Sequence, residues 1–273
     1  MILKMAIVLS RSAAVLAELL FLILERFPTS QKTRIFLSER KASTWREAVA
    51  NAARLVTRNQ HKKIYWVHVA SAGELEQVIP TLRMLHSKYG VGFFLTYFSP
   101  SAKAFVENCP GLVGSTSLPL ENKLAFQHAI SSLKIARLVL VRYDFWPVLM
   151  ETFKENQLPV CILAATLRKA KSSLPTSLRN SLRKTWFNQA DSIFLIEASE
   201  KEPLFDLGVS KEKIIVSGDA KWIRARERAT NFHQKNLSPA IQSIRKSLVN
   251  PVDGRPRRTI VFGSPHAEEL KIL

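Results

Sequence analysis

Glu74, Asp144 and Lys221 suit chemistry by type and position, because each falls just after an apolar run. In open α/β sheets, the C-terminal ends of such runs are where ligands bind. Glu74 follows Ile64-Tyr65-Trp66-Val67, lies within HVASAGELEQ (68–77) and opens a helical pattern. A carboxylate in a first helical turn is favoured by the dipole and by unpaired backbone N–H groups, and Gly73 lets the backbone turn sharply or a ligand approach closely. Tyr97 and Ser99 follow the second run, Arg142 to Trp146 the third, and Lys221 comes after the turn Ser217-Gly218-Asp219-Ala220. Two acids and a lysine gathered in one crevice could deprotonate a hydroxyl and stabilise charge in a transfer reaction. Taken singly, each has a plainer reading. Ser71 and Glu74 form a capping-box pattern, Asp144 can cap a helix before Phe145-Trp146-Pro147, and Lys221 can belong to a solvated basic face. His266, after a further apolar run, reads alone as a surface residue at a helix start.

Several chemistries lack their signatures. No HExxH, paired CxxC, GxSxG, Walker loop or GxGxxG occurs, so metalloprotease, zinc-ribbon, serine-hydrolase and standard nucleotide-loop readings have no support, and neither metal nor cofactor is expected. The two cysteines, Cys109 and Cys161, are too few for a disulfide framework. The formal charge of +18, from 40 Lys and Arg against 22 Asp and Glu, calls for an anionic partner without choosing among nucleic acid, phosphorylated ligand and acidic lipid. The basic runs Arg168-Lys169-Ala170-Lys171 and Arg255-Pro256-Arg257-Arg258 lack the interleaved aromatics or recognition helix that would argue for nucleic acid, so none is expected.

These residues need elements to hold them. Apolar runs at Ile64–Val69, Phe93–Thr96, Leu138–Val141, Val160–Ala164, Ile193–Ile196 and Ile214–Val216 suit strands buried on both faces. Helical patterns alternate with them at Glu74–Lys88, Ser101–Glu107, Asn122–Ser131, Phe145–Asn156, Thr176–Asn188 and Ser199–Leu207. That alternation predicts an α/β fold with a mostly parallel, doubly wound sheet. Ala225 to Arg258, with three prolines and many basic residues, reads as a connection, and Arg258 to Ser264 as the first strand and turn of a second α/β unit.

The N-terminus reads differently. Ser12 to Leu24 (SAAVLAELLFLIL) is short for a span, and lengthening it backwards takes in Arg11. A marginal span or interfacial helix retained as an anchor over residues 1–27 is expected, with a buried core helix as the alternative. Arg26, Lys32, Arg34, Arg40 and Lys41 outnumber Lys4 and Arg11, which points the bulk of the chain toward the cytoplasm.

In order, WVHVASAGELEQVIP (66–80), FLTYFSPSA (94–102), LPLENKLAF (118–126), LVLVRYDFWPVLM (138–150), VSGDAKWIRA (216–225) and FGSPHAEEL (262–270) resemble the landmarks of the Kdo transferases. These enzymes add 3-deoxy-D-manno-octulosonic acid to the lipid A precursor in lipopolysaccharide biosynthesis. The resemblance implies a two-domain GT-B fold: a Rossmann-like acceptor-binding domain over 32–224, a basic connection over 225–257, and the truncated start of a donor-binding domain over 258–273. It implies CMP-Kdo as donor, the lipid A precursor as acceptor and the acidic inner membrane as a partner surface. Glu74 occupies the position of the general base, with Ser71 and Gly73 on the acceptor side. Asp144 matches the acid of a Glu-x-Trp-Pro segment and Lys221 the lysine of a Gly-Asn-x-Lys segment, both linked to transition-state stabilisation. His266 matches a histidine near the donor. Departures accompany the likeness: Asp144 stands for a glutamate, Arg142 for an acid in many members, Ile223 for an aspartate and Pro265 for a threonine. Two other readings are a non-catalytic relative that binds membrane or phosphorylated lipid, and a basic nucleic-acid-binding α/β protein.

Overall fold

Seven parallel strands form one sheet: β1 (Lys63–Val69), β2 (Val91–Tyr97), β3 (Leu112–Ser117), β4 (Ile135–Val141), β5 (Val160–Ala165), β6 (Ser192–Leu195) and β7 (Ile214–Val216), in the spatial order β3-β2-β1-β4-β5-β6-β7. The computed structural model describes residues 30–58, 61–167, 176–234, 239–250, 254–256 and 258. Among these, the α-helices are α1 (Gln31–Ser38), α2 (Ala42–Arg58), α3 (Ala72–Tyr89), α4 (Lys123–Leu133), α5 (Pro147–Glu155), α6 (Thr176–Gln189), α7 (Lys201–Asp206), α8 (Lys221–Gln234) and α9 (Pro239–Ser247). The chain divides into two compact units, Met1–Ala225 and Arg226–Leu273, and the sheet belongs to the first.

Successive side chains of a strand point to opposite faces, and the core divides accordingly. Trp66 of β1, Phe94 of β2 and Leu138 and Leu140 of β4 pack with Trp45, Phe126 and Phe153 on one face. Val67 and Val69, Phe93 and Leu95, and Val139 and Val141 pack on the other face with Leu75, Val78 and Leu82 of α3. A strand buried on both sides is apolar over most of its length, which is why β1, β2, β4 and β5 are visible as nearly continuous runs.

β3 was not anticipated. Its sequence, LVGSTS, offers two apolar residues, and it lies at the sheet edge. Gly114 shows what the position demands: a Cβ there would stand 2.6 Å from the Cβ of Ala52 on α2. Gly114→Ala is therefore expected to destabilise the first unit by about 1–3 kcal/mol through overpacking. Ala52→Gly in the same chain should recover part of the loss, and a denaturation midpoint no lower in the single variant would refute the close approach. Nor were α1 and α2 anticipated, although Trp45, Val49 and Ala52 make a buried stripe on α2 at helical spacing.

Local rules set the ends of the crossover helices. Gly90 closes α3 in the left-handed conformation with φ of 66°, and Asn122 caps α4 by accepting from the Ala125 N–H at 3.1 Å. The N-terminus of α5 is held by a residue distant in sequence. Buried Glu121 accepts from the Val148 and Leu149 N–H groups at 2.9 and 3.3 Å, a carboxylate set against the positive end of the dipole.

Two expected helices are corrected. Pro100–Asn108 is a 3-10 helix, and α5 begins at Pro147 because Trp146, not Asp144, occupies the N-cap position. The apolar run 12–24, the basic run 168–171, the expected strand beyond Arg258 and His266 lie outside the described residues. Among the described residues, no helix is long and apolar enough to cross a membrane.

Candidate active site

The strand order reverses between β1 and β4: the chain moves outward from β1 through β2 to β3, then returns to the far side of β1. The loops leaving β1 and β4 therefore diverge at the switch point, where doubly wound sheets bind ligands. Glu74 comes from the first of these loops and Asp144 from the second.

Glu74 lies in the first turn of α3 and is 9% exposed. Its Oε2 accepts from the Ala70 N–H at 2.6 Å. Ser71 holds the N-cap position but makes no side-chain capping bond, so the capping-box pattern is met only in part. Gly73 does not have a left-handed φ, which removes the sharp-turn reason for glycine. A Cβ there would meet nothing nearer than Ser71 Oγ at 4.0 Å, so the surface is open to an approaching group.

Asp144 Oδ2 accepts the Trp146 Nε1–H at 3.1 Å and lies 3.0 Å from His68 Nε2. The Trp146 ring meets the His68 ring edge-on, with centroids 5.6 Å apart, and continues to Phe98 at 5.7 Å. Arg142, just before this loop, has a φ of 65°, a left-handed backbone uncommon outside glycine and here placed at the crevice.

The two carboxyl groups are driven apart. Burial pushes the Glu74 carboxyl above the usual range; the Ala70 N–H opposes this, and the charge of Asp144 adds to it. Burial would also raise Asp144, but its hydrogen bonds to His68 and to the Trp146 N–H hold it low. Their surroundings thus move the two carboxyl groups in opposite directions, the pattern by which environment separates acid and base roles.

Lys221 enters from the turn after β7, at the start of α8. Its Nζ lies 3.0 Å from Asp219 Oδ2, and its backbone N–H donates to Asp219 Oδ1 at 2.9 Å. Asp219 also receives Gln77 Nε2 at 2.8 Å, and Arg142 Nε donates to Gln77 Oε1 at 3.0 Å. Burial would raise the Asp219 carboxyl, but the Lys221 and Gln77 donors and the Lys221 charge hold it low. A string of polar side chains thus ties Lys221, through Asp219 and Gln77, to the Arg142 corner. The structure places no direct bond between Lys221 and either Glu74 or Asp144.

Tyr97 and Ser99 do not join the site. Tyr97 is buried at the end of β2, hydrogen-bonded to Ser117 beside Glu39, and Ser99 caps the following 3-10 helix. The residues that sequence reasoning missed are His68, Thr96, Gln77 and Asp219. For His68 and Thr96 there was a usable signal: polar side chains inside strands buried on both faces must find partners. Both cysteines are free and buried, with burial pushing the Cys109 thiol up to about 12. Among the described residues, no three His, Cys, Asp or Glu side chains gather to hold a metal ion.

The fold and crevice define a Rossmann-like α/β domain with its candidate site at the topological switch point. The UDP-GlcNAc 2-epimerase of Methanocaldococcus jannaschii shares this fold, with a TM-score of 0.50 and 14% identity over 68% of this chain and 53% of that one. Residues 43–224 match the family model of the 3-deoxy-D-manno-octulosonic-acid transferases, so the chain belongs to the kdotransferase family. The 3-deoxy-D-manno-octulosonic acid transferase of Aquifex aeolicus is 32% identical over 90 residues, covering 33% of this chain and 25% of the relative. That of Chlamydophila psittaci is 26% identical over 161 residues, covering 58% and 37%. The chain thus spans less than half the length of these curated relatives.

Proposed function

We propose that residues 32–224 form the acceptor side of an enzyme that moves Kdo from CMP-Kdo to the lipid A precursor. Glu74 takes the proton of the acceptor sugar hydroxyl. The hydroxyl oxygen forms its bond to the anomeric carbon of Kdo, the bond from that carbon to the phosphate oxygen breaks, and CMP leaves with the electron pair. Asp144, held ionised, faces the positive charge that develops on the sugar, and Lys221 meets the negative charge of the departing phosphate. Ser71 and Gly73 border the acceptor, while His266 and the residues after 258 belong to the donor side. The observation that carries this reading is that Glu74, from the loop after β1, and Asp144, from the loop after β4, meet at the switch point of a sheet whose residues 43–224 match the kdotransferase family.

The charge of +18 suits the same reading: basic faces meet the phosphates of the acceptor and the acidic cytoplasmic face of the inner membrane, with residues 1–27 as anchor. The test combines vesicles carrying the lipid A precursor, labelled CMP-Kdo and the 273-residue chain. Expected is co-sedimentation with the vesicles that weakens as salt is raised, accompanied by label in the lipid. Binding to duplex DNA but not to the vesicles would overturn the reading.

A further inference from the structure

Beneath Asp144 runs a chain of side chains with no direct part in the proposed transfer. Trp66 Nε1 donates to Thr96 Oγ1 at 2.8 Å, Thr96 Oγ1 lies 2.9 Å from His68 Nδ1, and His68 Nε2 lies 3.0 Å from Asp144 Oδ2. The sheet register brings them together. His68 and Thr96 are directly paired on adjacent parallel strands, and Trp66, two residues before His68, shares its face. All three are fully buried, so solvent cannot stand in for a missing partner.

For a neutral His68 ring, proton accounting gives every bond in the chain a direction. An indole N–H can only donate, so the Thr96 oxygen accepts it. The hydroxyl has one proton, and His68 Nδ1 is where it is wanted. A neutral imidazole that accepts at Nδ1 carries its own proton on Nε2, which faces Asp144. The opposite tautomer would set an Nε2 lone pair against the carboxylate and deprive the hydroxyl proton of this acceptor, and each of these losses costs free energy in a buried site.

We infer that Trp66, acting through Thr96, sets the tautomer of His68, and that His68 is thereby the positioning residue that holds Asp144 as an oriented, ionised acceptor. The function of the clamp rests on the proposed role of Asp144; its existence does not. Two N–H groups converging on Oδ2 fix where the short side chain of Asp144 ends.

The test is long-range 1H–15N NMR on the 273-residue chain with labelled histidine. At neutral pH the His68 ring is expected to carry its proton on Nε2 alone. Thr96→Val should abolish the single-tautomer pattern, and Thr96→Ser should restore it. The Asp144 carboxyl, followed by its 13C resonance, should titrate at higher pH in Thr96→Val and return to the wild-type midpoint in Thr96→Ser. The groups that bear on this titration are His68 from β1, Glu74 from α3 and Trp146 and Arg142 from the loop after β4. A wild-type ring protonated on Nδ1 or on both nitrogens overturns the inference, whatever the variants do. So does a Thr96→Val chain with tautomer and midpoint unchanged. Absence of Kdo transfer with the tautomer as expected would instead count against the proposed reaction and leave the clamp standing.

Discussion

Replacing Glu74 by glutamine is expected to lower Kdo transfer by about 10²–10⁴-fold, the usual contribution of a positioned general base, while vesicle binding persists. The glutamine carbonyl can still accept the Ala70 N–H, so the turn should keep its geometry. A second consequence concerns stability. Because the Glu74 carboxyl is raised in the folded chain, the folded state binds more protons than the unfolded state between the ordinary carboxylate value and the raised one. Stability therefore falls as pH rises through that window: the penalty is absent below it and complete above it. Glu74→Gln removes the penalty, so its melting temperature should exceed that of wild type at neutral pH, and the gain should fade on acidification. A gain of the same size at every pH would show that Glu74 carries no such burden, and transfer within a few-fold of wild type would remove it as the base.

The contrast between Glu74 and His68 shows which part of the site could be read in one dimension. Glu74 and Asp144 stand a few residues after apolar runs, and a strand end is legible from the run alone. His68 sits inside such a run. Its meaning depends on Thr96, 28 residues away, lying opposite it in the sheet, and on Asp144, 76 residues away, curling back over the strand end. The link from Gln77 to Asp219 is longer still, at 142 residues, and no local pattern announces it. The same physics divided the strands. β4 and β5 are buried on both faces and advertise themselves in apolar residues, whereas β3 lies at the edge and is built around the small Gly114, where composition says little. Periodicity reports burial, and partnership between polar groups needs topology. Family likeness supplied the proposed roles of Glu74, Asp144 and Lys221 because an ordered set of motifs carries topology implicitly, but it supplied nothing for the residues that hold those three in place.

Trp66→Ala is expected to cost the first unit about 3–5 kcal/mol, the range for removing a large buried aromatic side chain. The Trp66 ring is fully buried among four others, with centroids 5.7 Å from Trp45, 5.5 Å from Phe94, 5.9 Å from Phe126 and 5.7 Å from Phe153. The pairs with the three phenylalanines are edge-on, the geometry in which ring quadrupoles attract. These neighbours come from α2, β2, α4 and α5, so a cavity there would loosen one whole face of the sheet. Trp66→Phe separates the two duties of the residue, because it keeps an aromatic ring in the core, losing far less volume than alanine, and deletes the indole N–H. Its loss of stability should be clearly smaller than that of the alanine variant, yet the hydroxyl of Thr96 would be released equally in both. Urea denaturation followed by far-UV circular dichroism supplies the first comparison, and the His68 ring resonances supply the second. A cost below about 1 kcal/mol for alanine, far short of the large-to-small range, would show that the cluster does not depend on this ring. If alanine is costly and phenylalanine mild while both disturb His68, the middle of β1 serves the core by its volume and the crevice by a single proton.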